Sequence, residues 1–306
     1  MDFCERYGVS PWPADEETLL LYVAFLHKEH LKGSTIKVYL AAVRSLHVMM
    51  GLPPPSEGCH RLKLAIKCVM GECPPREKLP ITLETMQKML TVVSNSFDDV
   101  MFWAAATLAH FGMLRVSEFT AGLLGGSTGS CMMQDDILFH DDVNGVYMLV
   151  RIKTSKTDLL NKGVQLCIGC TLLSVCAHCA MQRYLTERQT CGFGKELPLF
   201  VFRNGMGLTR NLFVKQTRML LSLVGINDRL YSSHSYRVGG ATTAAAAGLS
   251  DWEIKLMGRW SSDAYLRYIK TPMTVRVGFA RRMCLPSPLS QVFTARSPYY
   301  VKLTNT

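Results

Sequence analysis

The sequence predicts a mainly helical, α+β chain in two domains. A compact all-helical unit is expected over 1–76, and a larger unit over 77–306 that is mostly helical with one small antiparallel sheet. Three observations predict this. Apolar residues recur at helical spacing through most of the chain, whereas two short segments near the middle alternate apolar and polar residues. Between the first helices and the rest lies ECPPREKLP over 72–80, where three prolines among alternating charges suit an extended linker. The sequence shows no internal repeat and no low-complexity tract.

In the first unit, 15–31 carries Leu19, Leu20, Val23, Ala24 and Leu26 at helical spacing. Asp15, Glu16 and Glu17 fall in its first turn, where they complement the helix dipole. Ser34 is positioned to cap a second helix, with Ile36, Tyr39, Leu40, Val43 and Leu46 as its expected buried face and Gly51 at its end. A third helix near 59–70 turns Leu62, Ile66 and Val69 inward. Lys37 and Arg44 share the outer side of the second helix, and Arg61, Lys63 and Lys67 mark the third. Singly each reads as a solvated helix face; as a set on a compact unit they read as a nucleic-acid-facing surface. After the linker, helices are expected over 82–93, 98–113, 176–189, 209–224, 235–247 and 251–257, with a last short one after Ser261. Strands are expected over 146–152 and 164–168, joined by a polar turn, with a further short one over 199–202.

The chain has 306 residues, 48% of them hydrophobic and 19% charged, which is the balance of a globular protein and not of a disordered one. Lys and Arg exceed Asp and Glu by 34 to 24, a net charge of +10 that suits a polyanionic partner without demanding one. MDFCERYGVS at the N-terminus lacks a signal-peptide pattern, and the most apolar run, 100–114, is short and interrupted by His110. No membrane association is therefore expected. Eleven cysteines, an odd number, point to reduced thiols inside a cell: nuclear in a eukaryotic host, cytoplasmic in a bacterial one. Cys167 and Cys170, then Cys176 and Cys179 with His178 beside them, imitate a zinc-ligand spacing. The five-residue gap between the pairs is far shorter than that of a zinc ribbon, so packed thiols are preferred over a structural zinc.

The most informative stretch is 234–268, HSYRVGGATTAAAAGLSDWEIKLMGRWSSDAYLRY. His234 and Arg237, three residues apart, project from one face of a helix. Gly239, Gly240 and the alanines after them let that helix pack closely, Gly258–Arg259–Trp260 follows the next helix, and Tyr265 and Tyr268 close the segment. Attack of a protein hydroxyl on a phosphodiester calls for such groups. Negative charge spreads over the non-bridging oxygens of a five-coordinate phosphorus, and fixed donors aimed at them are usually the largest catalytic term. A guanidinium matches phosphate geometry bidentately and stays charged. The nucleophile is a side-chain oxygen able to form a covalent intermediate, and a general acid protonates the leaving oxygen. A free phenol titrates near ~10, so a tyrosine in that role needs cations beside it.

This stretch resembles the C-terminal signature of the tyrosine recombinase (phage integrase-like) family. In its Gly-Arg-Trp wording it looks closest to recombinases of eukaryotic mobile elements, such as the crypton and DIRS-like groups. The resemblance implies two further members upstream. The family's Leu-Arg-x-x-Glu pattern, placed after an apolar helix, is met by Leu114, Arg115 and Glu118, with Glu118 orienting the guanidinium through a charge-assisted bond. Its hairpin lysine is met in RIKTSKTD over 151–158, where the Ser-Lys-Thr form points to Lys156 as general acid and leaves Lys153 as the alternative.

On the same resemblance Arg237 clamps a non-bridging oxygen, His234 donates to the phosphate or manages the nucleophile's proton, and Trp260 offers its indole N–H. Arg259 then has a structural or backbone-contacting role. The family's tyrosine stands about nine residues beyond its His or Trp; Tyr268 is eight beyond Trp260 and Tyr265 five, so Tyr268 is the preferred nucleophile.

The fold implied is a helical DNA-clamp domain followed by a tyrosine recombinase-like catalytic domain. The activity implied is site-specific cutting and rejoining of DNA through a 3′-phosphotyrosyl intermediate, with no metal, ATP or other cofactor. Double-stranded DNA is the implied partner, contacted by Lys37, Arg44, Arg61, Lys63, Lys67, Lys153 and Arg259. The assembly implied is a tetramer on DNA, with the basic, acid-free segment from about 271 to 306 docking on a neighbouring protomer or contacting DNA. A type IB topoisomerase would share the chemistry. A domesticated DNA-binding protein would share the fold but would be expected to have lost a catalytic residue, and none of Arg115, Lys156, His234, Arg237, Trp260 and Tyr268 is missing.

Overall fold

Asp15 shows how local chemistry sets the first unit. In the computed structural model its carboxylate accepts the Thr18 backbone N–H at 2.8 Å and so caps the helix that follows. The structure describes residues 2–55, 57–72, 78–122, 131–153 and 163–269, which fall into one unit over 1–77 and another over 78–306. The first holds α1 (Asp2–Tyr7), α2 (Glu16–Lys28), α3 (Gly33–Met49) and α4 (His60–Glu72). Leu19, Val23, Leu26, Ile36 and Leu62 form its core.

Ser34 does not cap α3. The helix begins two residues earlier than that cap implies, after Lys32, and Gly33 lets α3 and α4 meet closely there, since a Cβ would stand 3.0 Å from the Val69 carbonyl oxygen. The buried stripe also differs from expectation: Tyr39 and Leu46 are each 44% exposed, and His47 is buried instead. The stripe runs Ile36, Leu40, Val43, His47, and the imidazole is retained in the core because both its nitrogens are satisfied. Nε2 accepts the Ala14 N–H at 3.0 Å and Nδ1 lies 2.9 Å from the Val43 carbonyl.

In the second unit, Thr82 caps α5 (Leu83–Leu90) and Ser96 caps α6 (Phe97–Phe111). From Val100 to His110 every residue of α6 is buried, so this helix is the axis of the unit's core. It ends two residues before the expected point, at Gly112 and the left-handed Met113. A one-turn helix, α7 (Val116–Phe119), follows. β1 (Ile137–Asp142), β2 (Gly145–Ile152) and β3 (Val164–Gly169) form an antiparallel sheet in that order, with Ile137 opposite Val150 and Ile152 opposite Val164. β1 escaped the sequence reading because its HDD half is polar and exposed at the sheet edge. The segment 199–202 is buried but makes isolated bridges only, Met133 with Pro198 and Val201 with Gly207.

The remaining helices are α8 (Ala177–Thr190), α9 (Arg210–Leu223), α10 (His234–Ala246) and α11 (Asp251–Gly258), followed by a 3-10 turn over Asp263–Arg267. Among the described residues no helix is long and apolar enough to cross a membrane.

Candidate active site

Three helix ends bring the site together. The first is the end of α6. Met113 turns into the left-handed region there, at φ 46°, and directs its carbonyl at Arg237 Nη1. The second is the end of α11, closed by a Schellman turn in which Trp260 N–H reaches the Lys255 carbonyl at 3.0 Å and Arg259 N–H that of Leu256 at 3.2 Å. Arg259 occupies the left-handed position of this turn, at φ 55°, where glycine is usual. The Gly258 carbonyl then accepts Arg237 Nη2 at 2.7 Å.

The third is the start of α10, which supplies His234 and, one turn on, Arg237. Gly239 and Gly240 seat this helix: a Cβ at 239 would fall 1.8 Å from the Ile81 carbonyl oxygen, and one at 240 would fall 2.3 Å from that of His110.

One carboxylate serves two of the three guanidinium groups gathered here. Glu118 accepts the Arg115 backbone N–H at 2.8 Å and Arg115 Nη1 at 3.1 Å, and its other contact is Arg259 Nη2 at 2.7 Å. With its side chain 1% exposed, this is not a surface helical pair. Arg237 is 1% exposed, and its guanidinium lies 4.3 Å from the Trp260 ring. Burial first, then the charges of Arg115 and Arg259, pull Arg237 down to about 10, partly offset by Glu118 and Tyr268. Arg259 is lowered by burial and by Arg115, against the pull of Glu118, and its Nε and Nη1 are buried without a partner. Three cations therefore share one buried anion, an excess of positive charge that an incoming phosphate would relieve.

His234 reaches solvent at the mouth of this cluster. Partial desolvation, then Arg237 and Arg115, hold its imidazole below the ordinary histidine range, so the neutral ring prevails at neutral pH. Its ring meets that of Tyr268 edge-on, centroids 5.0 Å apart, and Tyr268 lies 5.6 Å from the Trp260 ring. The Thr242 hydroxyl anchors the Tyr268 carbonyl at 3.0 Å. Tyr265 takes the other side. It is 1% exposed, packed with Met113, Ala241, Ala244 and Ile254, and pushed up to about 12 by burial and by its bond to Asp251.

Trp260 folds back over Gly258, where a Cβ would fall 1.7 Å from its ring. Its ring covers Arg237, and the residue nine before Tyr268 is Arg259.

Lys156 lies outside the described residues, as does the segment from 271 onward. Lys153, at the end of β2, is held by Asp136 at 2.9 Å and by the Cys131 carbonyl at 3.2 Å. Arg259, grouped with the DNA contacts by sequence, has only 11% of its side chain exposed and faces Glu118. In the first unit Lys37, Arg44, Lys63 and Lys67 are exposed, and Arg61 pairs with Glu17 on the surface. The sequence reading missed Arg210, Lys215 and Arg218. These three exposed α9 cations line an open cleft of about 600 Å3 with Ser232 and Ser233, directly before His234. Their spacing along one helix was the available signal, but only the fold brings that helix beside the site.

No family model matches the chain. It is 26% identical over 287 residues to an integrase/recombinase XerD homolog of Selenomonas ruminantium, covering 88% of this chain and 77% of that protein. It is 25% identical over 296 residues to the recombinase Cre of Escherichia phage P1, covering 88% and 79%. In fold it is similar to the Tn1549 transposon integrase in complex with a circular intermediate DNA (TM-score 0.58, 14% identity, 89% of this chain and 86% of that one). It is also similar to the XerH site-specific recombinase bound to a palindromic difH substrate (TM-score 0.59, 13% identity, 88% and 73%). In sequence and in fold alike, the chain is similar to the tyrosine recombinases (integrases).

Proposed function

We propose that the protein is a site-specific DNA recombinase, serving a mobile element, that cuts and rejoins strands through a 3′-phosphotyrosyl intermediate. The observation that carries this reading is the charge excess of Arg115, Arg237 and Arg259 around a single buried carboxylate, beside His234 and Tyr268. Such a site is suited to receive the negatively charged non-bridging oxygens of a phosphodiester.

In this reading Tyr268 is the nucleophile. Its phenol is partly accessible and borders the cations, whereas Tyr265 is buried against Asp251. Neutral His234 accepts or relays the phenolic proton. Arg115, oriented by Glu118, and Arg237, fixed by two carbonyls, clamp the non-bridging oxygens. Arg259 takes the phosphate-facing place first assigned to Trp260, nine residues before Tyr268, and Trp260 serves as a packing cover over Arg237. Lys156 protonates the leaving 5′ oxygen; what supports it over Lys153 is the commitment of Lys153 to Asp136.

The helical unit over 1–76 acts as a DNA clamp through Lys37, Arg44, Arg61, Lys63 and Lys67, and the unit from 77 carries the chemistry. The cleft of Arg210, Lys215 and Arg218 receives the backbone flanking the scissile phosphate. Tetramer formation on DNA, through the segment from about 271, belongs to the same proposal. The narrower likeness to eukaryotic mobile-element recombinases rests on the Gly-Arg-Trp wording alone.

The test uses a pool of nicked duplexes with randomised sequence, which traps the covalent intermediate by releasing the short cleaved strand. Native protein should form a protein–DNA adduct, Tyr265→Phe should retain it and Tyr268→Phe should lose it. Adduct that persists without Tyr268 overturns the nucleophile. DNA binding without any adduct identifies a DNA-binding protein that has kept only the fold, and site-independent relaxation of a supercoiled plasmid identifies a topoisomerase.

A further inference from the structure

Where β3 hands over to α8, three sulfurs and an imidazole converge. Cys170 directly follows β3, Cys176 directly precedes α8, and His178 and Cys179 lie in the first turn of that helix. Cys170 Sγ is 3.7 Å from Cys176 Sγ and 3.5 Å from Cys179 Sγ. One ligand atom from each of Cys170, His178 and Cys179 lies within 4.8 Å of the other two. All three cysteines are free thiols. Tetrahedral ligands at Zn–S distances of about 2.3 Å stand about 3.8 Å apart. The sulfurs are therefore already at the separation a bound zinc requires, and far outside the bonded distance of a disulfide.

Two further observations point to a ligand. His178 is buried, its ring set edge-on against Phe139 of β1 at 5.0 Å, yet its Nδ1 has no hydrogen-bond partner. A buried ring nitrogen without a partner is costly, and a metal satisfies it. The Thr171 backbone N–H points at Cys176 Sγ from 3.3 Å, a donor of the kind that orients a metal-bound thiolate.

We infer that Cys170, His178 and Cys179 form the preformed part of a structural zinc site that staples the end of the sheet to the start of α8, and that Cys176, whose Sγ is 3.7 Å from that of Cys170, swings in as the fourth ligand when the metal binds. Cys167 is not part of it. Along β3 the inward positions are Leu166 and Ile168, so strand alternation turns Cys167 to solvent, and His178 completes the tetrahedron in its place. The spacing seen in the sequence is therefore not two Cys-x-x-Cys pairs but Cys-x5-Cys-x-His-Cys, with the ligands after the first held on a helix N-terminus. With Cys176 as fourth ligand the site is closed and lies outside the arginine cluster, so its role is structural: to fix the end of β3 against the start of α8.

Full-length protein purified without chelator should carry about one zinc per chain by elemental analysis. Replacement by cobalt should produce the thiolate charge-transfer and ligand-field bands of a tetrahedral, sulfur-rich site. Cys179→Ser and His178→Ala should each lower the bound metal, and Cys167→Ser should leave it unchanged. Should a ligand variant misfold, alkylation of native protein decides: three thiols should be protected until the metal is stripped. Native protein with neither zinc nor cobalt bands overturns the site, as does a disulfide between Cys170 and Cys179, or metal retained in full when all four ligands are replaced.

Discussion

Glu118 is the residue on which the arginine cluster depends. With its side chain almost wholly buried, it neutralises Arg115 and Arg259 and accepts the backbone N–H that opens α7. Removing one partner of a buried ionic group leaves the others uncompensated, so Glu118→Gln should lower unfolding stability by about 3 kcal/mol in urea titrations. Arg259 and Trp260 can be separated by substitution. Arg259→Gln removes a cation and should slow adduct formation roughly 100-fold or more. Trp260→Phe removes the indole N–H but keeps the cover over Arg237, and should cost much less. A larger loss in Trp260→Phe than in Arg259→Gln would return the phosphate-facing role to the tryptophan. For His234 the sign follows from its lowered pKa: the neutral ring persists below the usual histidine midpoint, so the acid limb of cleavage should fall below pH ~6.5.

At the scale of elements, α6 carries a pH-dependent weakness. His110 is 1% exposed and burial holds its pKa down to about 4, against 6.5 for an ordinary histidine. The unfolded chain therefore binds a proton that the folded chain refuses between those values. Stability is complete above pH 6.5 and is lost as pH falls toward 4, by about 3 kcal/mol in all. His110→Leu should flatten that limb of the stability–pH curve, and an unchanged slope would remove His110 as its origin. α10 is constrained by contact. Gly239→Ala would drive a methyl onto the Ile81 carbonyl and should cost at least about 2 kcal/mol, displacing Arg237 with the helix.

Much of this level was legible in advance. The acidic start of α2 at Asp15 and the small-residue helix after Arg237 are local signals, whereas Thr82 and Ser96 act as caps that were not read in advance. The caps at Ser34 and the faces of Tyr39 and Leu46 were not, because the choice of buried stripe on α3 belongs to its neighbours α2 and α4.

For the molecule as a whole, the net charge of +10 has a measurable consequence. Binding to duplex DNA should weaken with salt in proportion to the phosphates neutralised. Alanine at Arg210, Lys215 and Arg218 together should reduce the slope of log K against log salt by roughly 2 to 3, and an unchanged slope would exclude the α9 cleft from the interface.

The sequence by itself determined the mainly helical architecture, the small middle sheet and most of the residues that the structure gathers around Glu118. Arg115, Glu118, His234, Arg237 and Tyr268 are chemistry-bearing residues at short, fixed spacings on predictable helices. Tertiary structure decided the choices between neighbours. It buried Tyr265 and left Tyr268 at the cations, turned Arg259 inward and laid Trp260 over Arg237, tied Lys153 to Asp136, and brought the α9 cations beside His234. It also replaced Cys167 with His178 among the clustered thiols. A side chain's role within a motif follows from helical or strand periodicity, but which of two adjacent residues meets the site depends on contacts outside its own element, in the arginine cluster from segments more than a hundred residues away, as with Glu118 and Arg259 or Met113 and Arg237.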